Sequence, residues 1–125
     1  MHRSRLAAFV IDCRTDDLGS ATEFWSAALG LPVRDGPEGS PAYAELDAPA
    51  HEPKVLLQQV EHDSRIHLDI ETDDVEAEVK RLEALGAKRV AQVRRWWVME
   101  APSGQRFCVV RPQRSDFPAG AREWD

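Results

Sequence analysis

The stretch "RIHLDIETDD", residues 65–74, places an imidazole and a carboxylate two residues apart, at His67 and Asp69. The apolar residues Ile66, Leu68 and Ile70 alternate with them and predict a strand, in which alternate side chains point to the same face. A polar pair on a core face costs free energy unless it is partnered, whereas on an open face it can contact a ligand. The pair therefore predicts either a structural pair with Arg65 or Arg106 as counter-ion, or a ligand contact in which histidine can transfer protons near neutral pH.

An internal repeat indicates how these residues are positioned. Residues 10–33, "VIDCRTDDLGSATEFWSAALGLPV", align with residues 67–90, "HLDIETDDVEAEVKRLEALGAKRV". Thr-Asp-Asp recurs at a constant offset of 57 residues, and Ala-Leu-Gly recurs after the loss of one residue. The shared order of these matches favours a duplicated unit.

Each half of the repeat predicts one strand, one helix and three further strands. The first helix is expected from about Asp17 to Leu29, before Gly30. In the second helix, Asp73 is the expected N-cap, with Glu76 completing a capping box. Gly86 is the expected left-handed residue at its end. The predicted strands are 6–13, 31–35, 41–47 and 54–60 in the first half and 65–72, 88–93, 95–100 and 105–111 in the second, with turns at 35–41, 48–53 and 101–104.

The length predicts a single α+β domain over residues 1–125, with repeat one at about 5–60, repeat two at about 65–111 and a C-terminal tail at 112–125. The tail has no periodicity, and its Phe117 and Trp124 are expected to dock either on the domain or on a partner subunit.

Composition excludes several classes of function. A net charge of −6 and a pI near 5.2, without a basic block, argue against nucleic acid as a partner. No apolar run reaches the roughly 20 residues that cross a bilayer, so no membrane partner is expected. Cys13 and Cys108 form no metal or disulfide framework, which favours reduced thiols and a cytoplasmic location.

Three stretches resemble the vicinal oxygen chelate superfamily of glyoxalase I, bleomycin-resistance proteins and dioxygenases. They are "TDDLGSATEFWSAALGL", "HLDIETDDVEAEVKRLEALGA" and "WWVMEAPSGQRFCVV", and together they cover most of residues 6–111. They are most similar to a glyoxalase-like subgroup of that superfamily. The resemblance implies that two βαβββ repeats form a curved mixed sheet cup with the helices packed outside and ligands on the concave side.

The resemblance also allows the metal site to be compared position by position. Metal-dependent members place two histidines and two carboxylates, or close substitutes, at four strand positions. Here those positions fall on Val10, His67, Cys108 and a residue near Leu56 or Gln58, so only His67 keeps the expected ligand type. We therefore expect no metal cofactor, with a weak zinc site at His67 and Cys108 as the one exception.

The expected site centres on His67 as the catalytic residue, facing the cup. Its expected ligand-binding neighbours are Gln58, Asp69, Trp97, Arg106 and Cys108. Asp69 is expected mainly as structural support, and Cys108 as packing rather than a nucleophile, since no histidine is near it in sequence.

The expected function is binding of a small organic ligand in the concave cleft without the usual metal. Whether a lyase or isomerase reaction follows is left open. The alternatives are a non-enzymatic sequestration protein of the drug-resistance type, a metal-dependent lyase or dioxygenase, and an interaction domain without a ligand. Since single-domain relatives usually pair, the resemblance and the four tryptophans also predict a homodimer.

Overall fold

The computed structural model describes residues 1–34 and 42–125. The strands and helices occur in the predicted order, and the α+β class is confirmed. The turn predicted at 35–41, and the ends of two predicted strands that reach into it, lie outside the described residues. The elements are β1 His2–Arg14, α1 Leu18–Leu29, β2 Val33–Arg34, β3 Tyr43–Leu46, β4 Lys54–Val60, β5 Arg65–Thr72, α2 Val75–Ala84, β6 Lys88–Val93, β7 Trp96–Glu100, β8 Arg106–Val110 and β9 Arg122–Trp124.

No helix in the described part of the chain is long and apolar enough to cross a membrane.

The chain divides into two compact units. The first unit is Ala8–Ile66, and the second unit combines Met1–Ala7 with His67–Asp125. In the first unit β1 pairs in parallel with β4, which pairs antiparallel with β3, and β3 pairs antiparallel with β2. In the second unit β5 pairs in parallel with β8, followed by antiparallel β7 and β6. Both units therefore have the same mixed pairing around one helix, as the repeat in the sequence predicts.

Both helices also begin in the same way. Asp17 and Asp74 each accept a hydrogen bond through Oδ1 from the backbone N–H three residues later, at 3.1 and 3.0 Å. The N–H groups of these two acids donate to Thr15 Oγ1 and Thr72 Oγ1 at 3.0 and 3.2 Å. The repeated Thr-Asp-Asp thus encodes a repeated N-cap, which satisfies N–H groups that the first helical turn leaves unpaired.

The prediction that Asp73 caps α2 is wrong by one residue. Asp74 has the extended backbone of an N-cap, with φ −145° and ψ 93°. Asp73 instead accepts a hydrogen bond from the N–H of Arg3 at 2.8 Å, and Glu76 pairs with Arg89 at 2.8 Å rather than closing a capping box. Adjacent aspartates left two candidate caps, and the strand that contacts Asp73 decides between them.

Each unit has its own core between helix and sheet. The first core contains Ile11, Cys13, Leu46 and Leu57, with Leu18, Ala21 and Trp25 of α1 packed against it. The second contains Val79, Met99 and Val109, with Val75, Leu82, Trp97 and Phe107 packed against it. Trp25 is partly buried in this contact.

The tail contains a short strand that its sequence does not indicate. β9 pairs antiparallel with β1, with His2 opposite Trp124. The indole Nε1 of Trp124 donates to Ser4 Oγ at 2.8 Å, and the Arg81 guanidinium lies 3.9 Å from the ring centroid. Trp124 therefore docks on its own chain. Three residues are too few to show a strand period, so the pairing is visible only in the fold.

A buried carboxylate anchors the rest of the tail. Glu71 is fully buried and accepts a hydrogen bond from Arg5 Nε at 2.7 Å. Its other oxygen accepts the backbone N–H groups of Gln113 and Arg114 at 2.6 and 2.9 Å. Arg5 also donates to Asp116 at 2.8 Å. Charge and hydrogen bonding at Glu71 are thereby satisfied by β1 and the tail together.

Candidate functional site

Three side chains with different donor atoms meet on one sheet face of the second unit. They are His67 and Asp69 of β5 and Cys108 of β8, and one donor atom from each lies within 4.8 Å of the others. Strand alternation places His67 and Asp69 on the same face, and the parallel register sets Asp69 opposite Cys108. We call these three residues the donor cluster. All three are half-buried, so they lie at the boundary between core and solvent.

The contact within the β5 pair is close but is not a hydrogen bond. His67 Nε2 lies 3.4 Å from Asp69 Oδ1, within the range of an ion pair. Yet Asp69 Oδ1 is buried and meets the geometric criteria for a hydrogen bond with none of the described residues. At 3.4 Å the separation is long for a charge-assisted hydrogen bond. A buried carboxylate oxygen in this state favours a nearby positive charge or an added donor.

The ion pairs of the two expected counter-ions run to other acids. Arg65 lies 3.8 Å from Asp12, and Arg106 Nε donates to Glu100 Oε1 at 3.2 Å. Arg106 precedes Phe107, whose register partner is Leu68, so Arg106 and His67 are neighbours on adjacent strands. These arginine contacts do not support the interpretation of His67 and Asp69 as an arginine-neutralised structural pair.

The two cysteines differ in environment. Cys13 is buried in the first core, and burial followed by the charge of Asp12 raises the pKa of its thiol. Cys108 is only half-buried and lies in the donor cluster. Cys108 has no histidine near it in sequence but has one near it in the fold, and its role as packing rather than as a nucleophile stays a prediction. The pairing of β5 with β8 brings His67 to it across 41 residues of sequence.

The structure places Trp97 on the opposite sheet face from the donor cluster, which corrects our expectation. In the register of β7 with β8, Val98 lies opposite Cys108 and Trp97 lies opposite Val109. Trp97 packs against the second core, and the Arg89 guanidinium lies 4.9 Å from its ring. Its neighbour Trp96 is therefore the tryptophan on the cluster face. A shift of one residue inverts a strand's faces, and "WW" gives no signal to choose between them.

Gln58 lies in the first unit, on β4. It is opposite Asp12 in the parallel register, and its Nε2 donates to Tyr43 Oη at 2.9 Å. The role of Gln58 as a ligand contact stays a prediction.

The donor cluster was tested against the metal that the resemblance implies. Its nitrogen, oxygen and sulfur donors match the ligands of Zn²⁺, which in catalytic sites has three protein ligands and one open position. The buried Asp69 Oδ1 without a hydrogen bond is the observation that fits a cation. This set of nitrogen, oxygen and sulfur donors suits a thiophilic ion. It differs from the two histidines and two carboxylates of metal-dependent members of the superfamily, which offer no sulfur. Counting only the four expected positions missed Asp69 as a third donor.

Comparisons with known proteins agree with this architecture. A family model described as "Glyoxalase-like domain" matches residues 8–110. Among solved structures, methylmalonyl-CoA epimerase from Mycobacterium tuberculosis is similar at 18% identity and a TM-score of 0.64, covering 86% of this chain and 87% of that one. A hypothetical protein from Bacillus halodurans is similar at 12% identity and a TM-score of 0.65, covering 90% and 98%.

A glyoxalase/bleomycin resistance protein/dioxygenase superfamily member from Vibrio splendidus is similar at 16% identity and a TM-score of 0.52, covering 85% of this chain and 98% of that one. No curated protein matches the chain. At these identities the likeness to solved structures shows the fold alone.

Proposed function

Because the chain belongs to the glyoxalase-like domain family, within the vicinal oxygen chelate superfamily, we propose that it binds a small organic ligand at the donor cluster. The observation that carries this proposal is the meeting of His67, Asp69 and Cys108 within 4.8 Å on one sheet face. Half-buried groups of three different chemistries give a ligand directional contacts together with partial exclusion of water.

The chemistry that the cluster supports best is proton transfer. His67 would act as the general acid or base, because an imidazole can hold or release a proton near neutral pH. Asp69, 3.4 Å from its Nε2, would stabilise the protonated imidazole by charge. Cys108 would contact the ligand from β8. In an isomerase step, His67 would take a proton from one ligand atom and return it to another, and in a lyase step it would give the leaving group its proton as the bond breaks.

The first alternative is a binding or sequestration protein without catalysis. Two apolar side chains favour it: Trp96 and Val98 are half-buried and lie on the same sheet face as the donor cluster. An aromatic and an aliphatic side chain beside polar groups suffice for binding, and no step of chemistry is required of them.

The second alternative is a metal-dependent lyase or dioxygenase, favoured by Asp69 Oδ1, which accepts no hydrogen bond from the described residues. His67, Asp69 and Cys108 would hold the ion, which would polarise a ligand oxygen. In that state His67 is a metal ligand and cannot serve as the base, so the two mechanisms exclude each other. We keep the metal-free mechanism first, because three of the four positions that the resemblance implies lack the usual ligand.

The test compares His67→Ala with His62→Ala, since His62 is exposed in a loop. A fragment library is titrated against both variants and the parent, with the NMR shift of the Trp96 indole N–H, which all three proteins retain on the cluster face, as the readout. We expect His67→Ala to lose binding while its Tm stays within a few degrees of the parent, and His62→Ala to bind normally. Normal binding by His67→Ala would refute the proposed site.

Elemental analysis of the dialysed protein separates the metal-free mechanism from the metal-dependent one. The metal-free mechanism expects less than a tenth of an equivalent of transition metal, and unchanged fragment binding after a chelator. One tightly held equivalent that Asp69→Asn loses would establish the metal-dependent alternative instead.

We also propose that the protein is a homodimer in the cytoplasm. The exposed apolar side chains of α1, Phe24 at 62% and Leu29 at 47%, support a contact between copies. Both cysteines are free thiols, which supports a reducing compartment.

A further inference from the structure

Strand register defines what surrounds the donor cluster. On β8, Cys108 and Arg106 share a face because they are two residues apart. On β7, Val98 lies opposite Cys108 and Glu100 opposite Arg106. Residues paired in register project to the same side, so Val98 and Glu100 lie on the face of the donor cluster. Trp96 lies two residues before Val98 on the same strand and therefore shares that face.

The cluster face continues onto β6. Ala91 is opposite Val98, and Val93 is opposite Trp96. Val93 is 39% exposed, and Trp96 and Val98 are half-buried, so this strip of the sheet remains partly open to solvent. Apolar side chains that are left open beside polar groups are typical of ligand sites rather than of a plain surface. The strip Ala91, Val93, Trp96 and Val98 therefore offers a flat apolar platform.

The opposite end of the same face carries two cations, Arg106 and Lys88. Arg106 lies beside His67, and Lys88 is opposite Glu100 in the register of β6 with β7. Glu100 lies between these two cations, and Asp69 is a second acid of this face, 3.4 Å from His67. Among the described residues, Arg106 donates a hydrogen bond only to Glu100, through Nε at 3.2 Å. Its two Nη groups, on a side chain 37% exposed, keep their donors for a ligand.

We infer that the ligand is a small organic anion with a flat apolar body. Its anionic group pairs with Arg106, its body lies over Val98 and reaches Trp96, and the atoms next to the anionic group lie at His67. Arg106 suits a carboxylate because the guanidinium presents two parallel donors to two oxygens. Glu100 and Trp96 are four residues apart on β7, about 13 Å at roughly 3.3 Å per residue. That span suits two fused rings better than one.

This inference rests on the proposed function, because it names the ligand class of the same site. The probes are naphthalene-2-carboxylate and naphthalene-2-carboxamide, which share a shape and differ in charge. Both are titrated into the full chain, and Kd is followed by NMR at the His67 side chain and the Trp96 indole. We expect the carboxylate to bind at least tenfold tighter than the amide.

Two variant pairs assign that preference to residues. Arg106→Gln should weaken carboxylate binding roughly 10- to 100-fold and abolish the preference, the effect of losing hydrogen bonds to a charged group. Arg89→Gln, on the opposite face, should leave the preference intact. Trp96→Ala should weaken both probes roughly 3- to 10-fold, whereas Trp97→Phe should change neither Kd.

Several results would overturn the inference. They are equal binding of the two probes, no binding of either, or a preference for the carboxylate that survives in Arg106→Gln. A set of neutral and cationic fragments distinguishes this failure from failure of the proposed function. If those fragments move the His67 resonances and the carboxylate does not, the ligand class is wrong and the site stands. If no fragment moves them, both are wrong.

Discussion

Replacing Glu71 with glutamine should weaken the whole second unit and release the tail. The carboxylate is fully buried, and one oxygen accepts from Arg5 while the other accepts two backbone N–H groups of the tail. Glutamine keeps the size but removes the charge, and its amide nitrogen can only donate. The amide N–H of the glutamine must therefore face another hydrogen-bond donor, either the guanidinium of Arg5 or the backbone N–H groups of the tail.

The magnitude follows from burial. Removing one partner of a buried ion pair costs roughly 3–5 kcal/mol of unfolding free energy. Because Arg5 retains Asp116 at 2.8 Å, we expect the lower end, about 3 kcal/mol. For a chain of 125 residues, the average unfolding entropy per residue converts this to a Tm lower by roughly 11 °C.

The assay is urea unfolding together with amide hydrogen exchange, and Glu123→Gln is the matched control. Glu123 also pairs with an arginine of β1, Arg3, at 2.8 Å, but both side chains are about half exposed. Its loss should cost at most about 1 kcal/mol. In Glu71→Gln the amides of Gln113 and Arg114 should exchange faster as well. If the two variants unfold at the same urea concentration, Glu71 does not anchor the tail.

Three further outcomes are expected. Burial alone would raise the pKa of Glu78, but hydrogen bonds from Arg81, His2 and Ser4 outweigh it and hold the pKa below its usual value. The contribution of Glu78 to the unfolding free energy should therefore be full above the ordinary glutamate pKa of about 4.3 and fall as the pH drops below that value. Urea titrations test this, and the same acid profile in Glu78→Gln as in the parent would contradict it. Gly86→Ala should cost about 1–2 kcal/mol of unfolding free energy in thermal unfolding, because φ is +107° and a Cβ would lie 3.1 Å from Pro102 Cγ. Gly30→Ala is the control and should cost less, because φ is +68° and no atom lies near the added Cβ. Light scattering at micromolar concentration should give twice the 14.1 kDa chain mass, and a monomer would refute the dimer.

The elements were predictable because their signals are local. The repeated Thr-Asp-Asp locates the start of both helices to within one residue, and Gly30 and Gly86 adopt the positive φ expected at helix ends. Strand alternation likewise places His67 and Asp69 on one face. Each of these conclusions needs only residues within one turn or one strand.

The surroundings of the site depend on pairing between strands that are distant in sequence. The approach of Cys108 to His67 requires the register of β5 with β8, and the choice between Trp96 and Trp97 requires that of β7 with β8. A hydrophobic pattern fixes which residues alternate, but it does not fix which partner lies opposite. β9 was missed for a different reason: its three residues show no strand pattern, and they are held by pairing with β1 and by the hydrogen bond from Trp124 to Ser4.

The repeat itself supplies an argument that His67 and Cys108 are functional. In the first unit Asp12 lies opposite Gln58 in a parallel register, and in the second Asp69 lies opposite Cys108 in the same relation. The carboxylate is present in both units, and Asp12 is buried at 2% exposure, so an acid at this position serves the architecture itself.

The imidazole and the thiol have no such counterpart. The position equivalent to His67 is Val10, which is 2% exposed in the first unit, and the position equivalent to Cys108 is Gln58. The first unit has the same order of strands and the same pairing without either group, so the fold does not require them. That these two groups, which the fold does not require, lie with Asp69 within 4.8 Å of one another supports the proposed ligand contact.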